Sequence, residues 1–281
     1  MACEGVTAAA NAAALTANRA ESKYVLRAAD VRSFLRAVMR ELPLHRFTGE
    51  GANVLPDAQQ FVTSIYFDTP THAHLRAAHD DREHHVKVRA REYYDLQPSL
   101  AELATDPSQI VRYQPWVWCE VKERSEGRSQ KLRFRLPKRD VAAFFRKEHP
   151  AFSEAFDHGA ANGPRDDLSS IVAYLHALTE PLLPSCIVNY RRIALQDATA
   201  ALRVTLDLEI GFYAPPADLW RRSQALVRGT FGAPIKVEPG ALVELKCLGA
   251  APRWLERALD DVAAVAVSYS KFVAAAQAVH G

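Results

Sequence analysis

Apolar and polar residues alternate with a period of two in eight stretches of the chain, about 23–27, 62–67, 85–93, 116–123, 130–136, 186–195, 201–210 and 241–248. A strand sends successive side chains to opposite faces, so each stretch predicts a strand with one face in a core. Between these stretches the period lengthens to that of a helix. Val31, Phe34, Leu35, Val38 and Leu42 fall on one face of a predicted helix that Asp30 caps and Pro43 ends. Asp140 precedes a second helix carrying Val141, Phe144 and Phe145. Asp167 precedes a third, with Leu168, Ile171, Val172, Leu175 and Leu178, stopped by Pro181 and Pro184. Trp254 to Leu259 and Ser270 to Val279 predict two more, and loops are expected around 155–166 and 213–217. The number and spacing of the strands predict an α+β fold, an eight-stranded and mainly antiparallel sheet closed into a barrel with helices packed outside.

Composition narrows the class. The 281 residues carry 48% hydrophobic side chains and 12 Gly, which excludes a disordered, collagenous or disulfide-dense chain. The length accommodates one tunnel-sized domain over residues 21–281, with residues 1–20, rich in Ala and Asn, expected to be a flexible tail. Glu4 stands where a signal peptide would be basic, and no apolar run reaches the roughly 18 residues of a membrane span, so a cytoplasmic protein is expected. Cys3, Cys119, Cys186 and Cys247 form no C-x-x-C pair, and the last three sit in apolar stretches as small buried hydrophobes.

Lys+Arg total 35 against 33 Asp+Glu, a net charge of +2 that suggests no general affinity for nucleic acid or membrane. That total conceals a pattern, because residues 82–139 hold 13 Lys+Arg against 8 Asp+Glu. Opposite Val86, Val88 and Ala90 one strand carries Lys87, Arg89 and Arg91, and opposite Leu132, Phe134 and Leu136 another carries Lys131, Arg133 and Arg135. Like charges lined up in this way repel one another. Glu120 shares a face with Lys122, Glu244 shares one with Lys246, and Arg203, Thr205, Asp207 and Glu209 share a fourth. A solvated sheet face is often charged, but such faces usually mix Thr, Ser and Gln with both signs of charge rather than repeating Arg and Lys. If the sheet closes with these faces inward, its lumen suits a polyanion. Arg forks and mobile Lys charges match phosphate oxygens, and the interspersed Glu residues suit Mg²⁺ or Mn²⁺ held jointly with substrate phosphates.

The motifs carry a resemblance. E-S-K-Y at Glu21 to Tyr24, S-I-Y-F-D-T at Ser64 to Thr69, K-V-R-A-R at Lys87 to Arg91, E-V-K at Glu120 to Lys122 and K-L-R-F at Lys131 to Phe134 are followed by N-Y-R-R at Asn189 to Arg192, R-V-T-L-D at Arg203 to Asp207, V-E-L-K at Val243 to Lys246 and S-K-F at Ser270 to Phe272. In this order they resemble the VTC domain, the polyphosphate polymerase domain of the vacuolar transporter chaperone type, within the CYTH or triphosphate tunnel metalloenzyme superfamily. The resemblance spans about residues 20 to 275. It implies an eight-stranded antiparallel tunnel that binds ATP and Mn or Mg and transfers the terminal phosphoryl group to a polyphosphate chain. Residue by residue it implies catalytic roles for Arg89, Arg91, Lys122, Lys131, Arg192, Arg203 and Lys246, and substrate binding by Lys23, Lys87, Tyr190 and Lys271, with Tyr190 near the nucleotide base. It implies metal binding by Glu244 and Glu21. Ser268 occupies a position that is usually basic in polymerase members. With no SPX domain or membrane helices alongside, a free-standing soluble version is expected.

Phosphoryl transfer needs positioning and charge neutralisation more than a protein nucleophile. Arg89, Arg91, Arg192 and Arg203 are expected to cradle the triphosphate, Lys122, Lys131 and Lys271 to steer the acceptor, and Glu244 to hold the metal. The plain alternative for Glu244 is a salt bridge to Lys246 or a neighbouring arginine. Two rival functions stand beside synthesis, namely hydrolysis of inorganic or nucleoside triphosphate in the same tunnel and non-catalytic polyphosphate binding. Nucleic acid is not an expected partner, because the cations lack interleaved exposed aromatics. His72, His74, His79, His84 and His85 are spaced irregularly and read as solvated surface.

Overall fold

The computed structural model describes residues 20–45, 59–80, 84–94, 114–125, 128–148, 165–220 and 225–281. Residues 1–19 of the expected tail, Cys3 among them, and most of the loop expected at 155–166 lie outside the described residues, and Ala20, expected in the tail, opens a strand. The predicted strands are present as β1 (Ala20–Arg27), β2 (Gln59–Asp68), β3 (His85–Tyr94), β4 (Trp116–Ser125), β5 (Arg128–Pro137), β6 (Leu183–Gln196), β7 (Leu202–Tyr213) and β9 (Gly240–Cys247). Two-residue strands β8 (Lys236–Val237) and β10 (Val265–Ala266) are additional, being too short to show alternation. The helices among the described residues are α1 (Val31–Glu41), α2 (Ala73–His79), α3 (Val141–Phe145), α4 (Arg165–Ala177), α5 (Arg253–Asp260) and α6 (Lys271–His280).

The strands form one sheet in the order β10-β1-β9-β7-β6-β2-β3-β4-β5, with β8 beside β7. Pairing is antiparallel between β1 and β9, β7 and β9, β3 and β4, and β4 and β5. The fold is therefore α+β, as expected, but the path is open. Among the described strands no pairing closes it into a barrel, and at one end β10 offers only the two residues that pair with Tyr24 and Val25.

The chain divides into two compact units. Among the described residues, the first comprises those within 1–61, 190–210 and 238–269, and the second those within 62–189, 211–237 and 270–281. Each has its own core. In the first, Phe34 and Val38 of α1 and Leu255 and Leu259 of α5 pack with Val204, Leu206, Val243 and Leu245 of the sheet. In the second, Val88, Ala90, Val117, Cys119 and Phe134 pack with Phe144, Phe145, Leu168 and Ile171. On β3, β4, β5, β7 and β9 the apolar face thus packs into a core with helices, which leaves the opposite face to carry the charges.

Helix ends depart from expectation in instructive ways. Asp30 accepts no capping hydrogen bond from α1; its carboxylate accepts from Arg27 Nε at 2.6 Å instead. Asp140 likewise makes no side-chain cap, and α4 starts at Arg165, which puts Asp167 inside the helix. Ser270 does cap α6, its hydroxyl accepting from the Val273 N–H at 3.4 Å. α2 shows no clear apolar stripe and was not predicted. It is fixed instead by Asp68, which accepts from the N–H groups of Thr69, His74 and Leu75 at 2.8, 2.9 and 2.9 Å. The acidic residue of S-I-Y-F-D-T is therefore structural. Burial also corrects the reading of the histidines and cysteines, because His74 and His85 are buried whereas Cys247 is partly exposed.

Candidate functional site

In the second unit, antiparallel register turns three alternating strands into a grid of charge. Lys87, Lys122 and Lys131 lie abreast on β3, β4 and β5, followed by a row of Arg89, Glu120 and Arg133, then a row of Arg91, Trp118 and Arg135. Neighbouring strands are about 4.8 Å apart, so each row is a line of side chains at that spacing. The residues between them, including Val88, Cys119 and Phe134, enter the core from the other face.

Glu120 sits at the centre and is 1% exposed. Arg89 reaches its Oε2 with Nη2 at 2.5 Å and Nε at 2.7 Å. Lys131 Nζ and Arg133 Nε stand 2.9 and 3.3 Å from Oε1, and Arg91 Nη1 is 3.9 Å from Oε2. Burial pushes the Glu120 carboxyl up, but these four cations overcome it and hold the group well below the usual carboxylate range. The repulsion expected along β3 and β5 is thereby answered from the strand between them.

Aromatic rings fix the guanidiniums further. Arg133 and Arg135 lie over the Trp118 ring at 3.9 and 4.7 Å, and Arg91 donates to the Tyr93 hydroxyl at 3.2 Å and to Ser64 Oγ at 3.0 Å. Arg89 also donates to the Tyr66 hydroxyl at 3.4 Å. Burial raises the Tyr93 hydroxyl, yet Arg91 and Arg133 outweigh it and draw its pKa below the ordinary value. Lys87 Nζ donates to Ser270 Oγ at 3.2 Å, next to Lys271 at the start of α6.

The depressed Glu120 pKa sets a pH dependence. Because the folded value lies below the unfolded one, the stabilisation from Glu120 is complete above about pH 4.3 and disappears as pH falls through the folded value. The stability difference between the wild type and Glu120→Gln is expected to hold constant above about pH 5 and to shrink in stronger acid. Denaturant titrations across that range measure it.

The first unit builds a second grid on β1, β9 and β7. Glu21, Lys246 and Arg203 lie abreast, and beside them Lys23, Glu244 and Thr205. Lys246 Nζ is 3.4 Å from Glu21 and 3.5 Å from Glu244, so the two carboxylates converge on one point. Lys23 Nζ stands 3.3 Å from Glu21 and donates to the Tyr269 carbonyl at 2.8 Å. Arg192 is held by a two-pronged pair with Asp207, Nε to Oδ1 at 2.6 Å and Nη2 to Oδ2 at 2.7 Å, and its Nη2 is 3.7 Å from Glu244. Burial disfavours the Arg192 charge, but Asp207, itself fully buried, more than restores it and raises its pKa. Arg192 lies 5.2 Å over the Tyr190 ring, which is 1% exposed. A ring so covered supports the guanidinium and offers no open face to a nucleotide base.

The carboxylate donors fit a hard divalent cation. Glu21 and Glu244 supply oxygen, and Mg²⁺ and Mn²⁺ are commonly bound by one or two carboxylates together with substrate phosphates. Among the described residues no group of three His, Cys, Asp or Glu could hold a metal alone. The salt bridge from Glu244 to Lys246 foreseen as its plain alternative is present, and a cation would displace that ammonium.

The structure therefore brings Arg89, Arg91, Lys87, Lys122 and Lys131 together on one grid, and Lys23, Arg192, Arg203, Lys246, Glu21 and Glu244 on another. Lys271 follows Ser270, which Lys87 meets at 3.2 Å, at the start of α6. Glu120, Arg133 and Asp207 lie within the quoted motifs but were assigned no role there, and Trp118 and Tyr93 lie outside them. Alternation had already placed Arg133 and Glu120 on charged faces, but only cross-strand register shows that they meet.

Among curated proteins none matches the chain in sequence. Two of the solved structures that match do so at low identity. The PH1819 protein from Pyrococcus horikoshii OT3 is 10% identical over 91% of this chain and 95% of its own, with a TM-score of 0.39. A candidate adenylate cyclase from Bacillus halodurans is 11% identical over 87% of each chain, with a TM-score of 0.42. No helix among the described residues is long and apolar enough to cross a membrane. The VTC domain matches residues 18–280, which supports a phosphoryl-transfer or triphosphate-binding protein. With nearly its whole length matched, the chain belongs to the VTC domain family.

Proposed function

We propose that the protein is a metal-dependent phosphotransferase that moves the terminal phosphoryl group of ATP onto a polyphosphate chain. The observation that carries this reading is the grid on β3, β4 and β5, where a row of three lysines runs beside Arg89, Glu120 and Arg133. Phosphate oxygens are bound by Arg89 and Arg91, whose guanidiniums are held by Glu120, Tyr66, Ser64 and Tyr93 before any ligand arrives. Lys87, Lys122 and Lys131 are mobile point charges that follow a chain rather than fix one geometry. In the first unit Glu244 and Glu21 are the metal's protein ligands, and Arg192, Arg203, Lys23 and Lys246 are phosphate contacts. A metal bound there neutralises charge on phosphate oxygens. Charge spread over the equatorial oxygens of the transferring group is what such cations stabilise, and no protein nucleophile is needed.

The test is product length. Purified protein incubated with ATP and Mn²⁺ or Mg²⁺ is expected to yield phosphate chains longer than the triphosphate. Orthophosphate and shorter products alone would sink the polymerase and leave a triphosphatase. Glu244→Gln removes a direct ligand and is expected to cut turnover by at least the roughly 10–100-fold that loss of an outer-shell partner of a metal site costs, while triphosphate binding survives. A wild-type protein that binds triphosphate with no turnover of any kind identifies a binding module.

A further inference from the structure

A buried carboxylate in the middle of a phosphate-binding face carries the same charge as the ligand. Its neighbours are the ligand's intended partners. Glu120 is within 4 Å of Arg89, Arg91, Lys131 and Arg133, and Lys131 and Arg133 keep side-chain exposures of 47% and 34%. Two opposed effects follow from Coulomb attraction in a partly desolvated site. Before phosphate arrives, the carboxylate stands in for it and keeps four cations in place that would otherwise push one another apart. Once phosphate is bound, the carboxylate repels it and competes for the same N–H donors.

Arg89 illustrates the first effect. It turns Nε and Nη2 to Glu120 and Nη1 toward Tyr66, an orientation fixed within the protein itself. A guanidinium has five N–H donors in a rigid plane, so fixing two of them fixes the directions of the rest. Lys131 illustrates the second effect, because a flexible ammonium 2.9 Å from Glu120 swings to a phosphate only by leaving the carboxylate. A chain held under such competition can advance, whereas one held by four unopposed cations would stay bound.

We propose that Glu120 is a resident anion, a positioning residue that takes the place of phosphate among Arg89, Arg91, Lys131 and Arg133 and lowers the affinity for phosphate so that the chain is released. This rests on the reading of that face as a phosphate site. Glu120 touches no reacting atom and acts through the cations around it.

The experiment combines thermal melts and calorimetry with inorganic triphosphate on the full chain. Glu120→Gln is expected to melt below the wild type without ligand, yet to bind triphosphate about tenfold more tightly or better and to gain more from it in melting temperature. Its KM for ATP and its kcat should fall together, since slower release accompanies tighter binding. A residue that only supports the fold would weaken binding when removed, so weaker triphosphate binding by Glu120→Gln overturns the proposal. Should that variant fail to fold, the charge-balanced pair Glu120→Gln with Arg133→Gln decides. It removes one anion and one cation, and is expected to melt and to bind triphosphate close to the wild type. A folded pair that has lost triphosphate binding overturns the proposal. If the wild type itself binds no triphosphate, the phosphate-site reading falls and this inference falls with it. If the wild type binds and Glu120→Gln binds less well, only the inference fails.

Discussion

Lys138→Met is expected to cost about 3–5 kcal/mol of folding stability, the scale for breaking a buried ion pair by removing one partner. Lys138 Nζ donates to Glu92 Oε1 at 2.8 Å, and their side chains are 3% and 1% exposed. Glu92 Oε2 also accepts from the Leu226 N–H at 2.8 Å, so the pair ties β3 to the start of α3 and to the segment at 225–227. Burial pushes the Glu92 carboxyl up and the Lys138 ammonium down, and their mutual attraction only partly reverses this. Without Lys138 the Glu92 carboxyl is raised further. A raised folded pKa gives stability that is complete below the unfolded pKa and lost as pH rises through the folded one. The deficit of Lys138→Met should therefore be smaller near pH 4 than near pH 8, which urea titrations at the two pH values measure. Equal deficits at both would show that Lys138 has no influence on the Glu92 pKa.

Arg89→Gln is expected to lower turnover with ATP by about 10²–10³-fold, the range for removing one preorganised donor from developing charge. The fold should tolerate the change. Glu120 keeps Lys131 at 2.9 Å and Arg133 at 3.3 Å, so no carboxylate is stranded in the interior. Steady-state rates and a melting curve on the same preparation separate these effects. A large loss of melting temperature with a small loss of rate would mean that Arg89 serves the fold instead. Arg89→Lys should recover little, because an ammonium cannot reproduce the planar fork that meets Glu120 and Tyr66.

The strands were readable because alternation is a property of one strand at a time. Val86, Val88 and Ala90 announce β3 whatever lies beside it, and they are buried as that pattern requires. The charged face was readable as a list of cations, but its chemistry was not. Whether Lys87, Arg89 and Arg91 repel one another or bind a common anion depends on which residue of β4 lies opposite, and register puts Glu120 beside Arg89 and Arg133. One residue of slip would have placed Val121 there and turned Glu120 into the core. Asp207 was missed for the same reason, since its partner Arg192 lies on another strand. Helix caps failed for a local reason. Asp30 has the right side chain in the right place, but Arg27 three residues earlier competes for it successfully.

The two grids differ in how the chain must travel to make them. β3, β4 and β5 follow one another in sequence and pair in that order, so the ring of cations around Glu120 closes through nearby contacts. The grid holding Glu21 and Glu244 joins β1, near the start of the chain, to β9, near its end. Contacts between distant segments carry a larger loop-closure entropy and form later. The cationic face is therefore expected to assemble before the carboxylates at Glu21 and Glu244 meet. Glu120, carried on the middle strand of that face, would then meet its four cations from the moment the three strands pair.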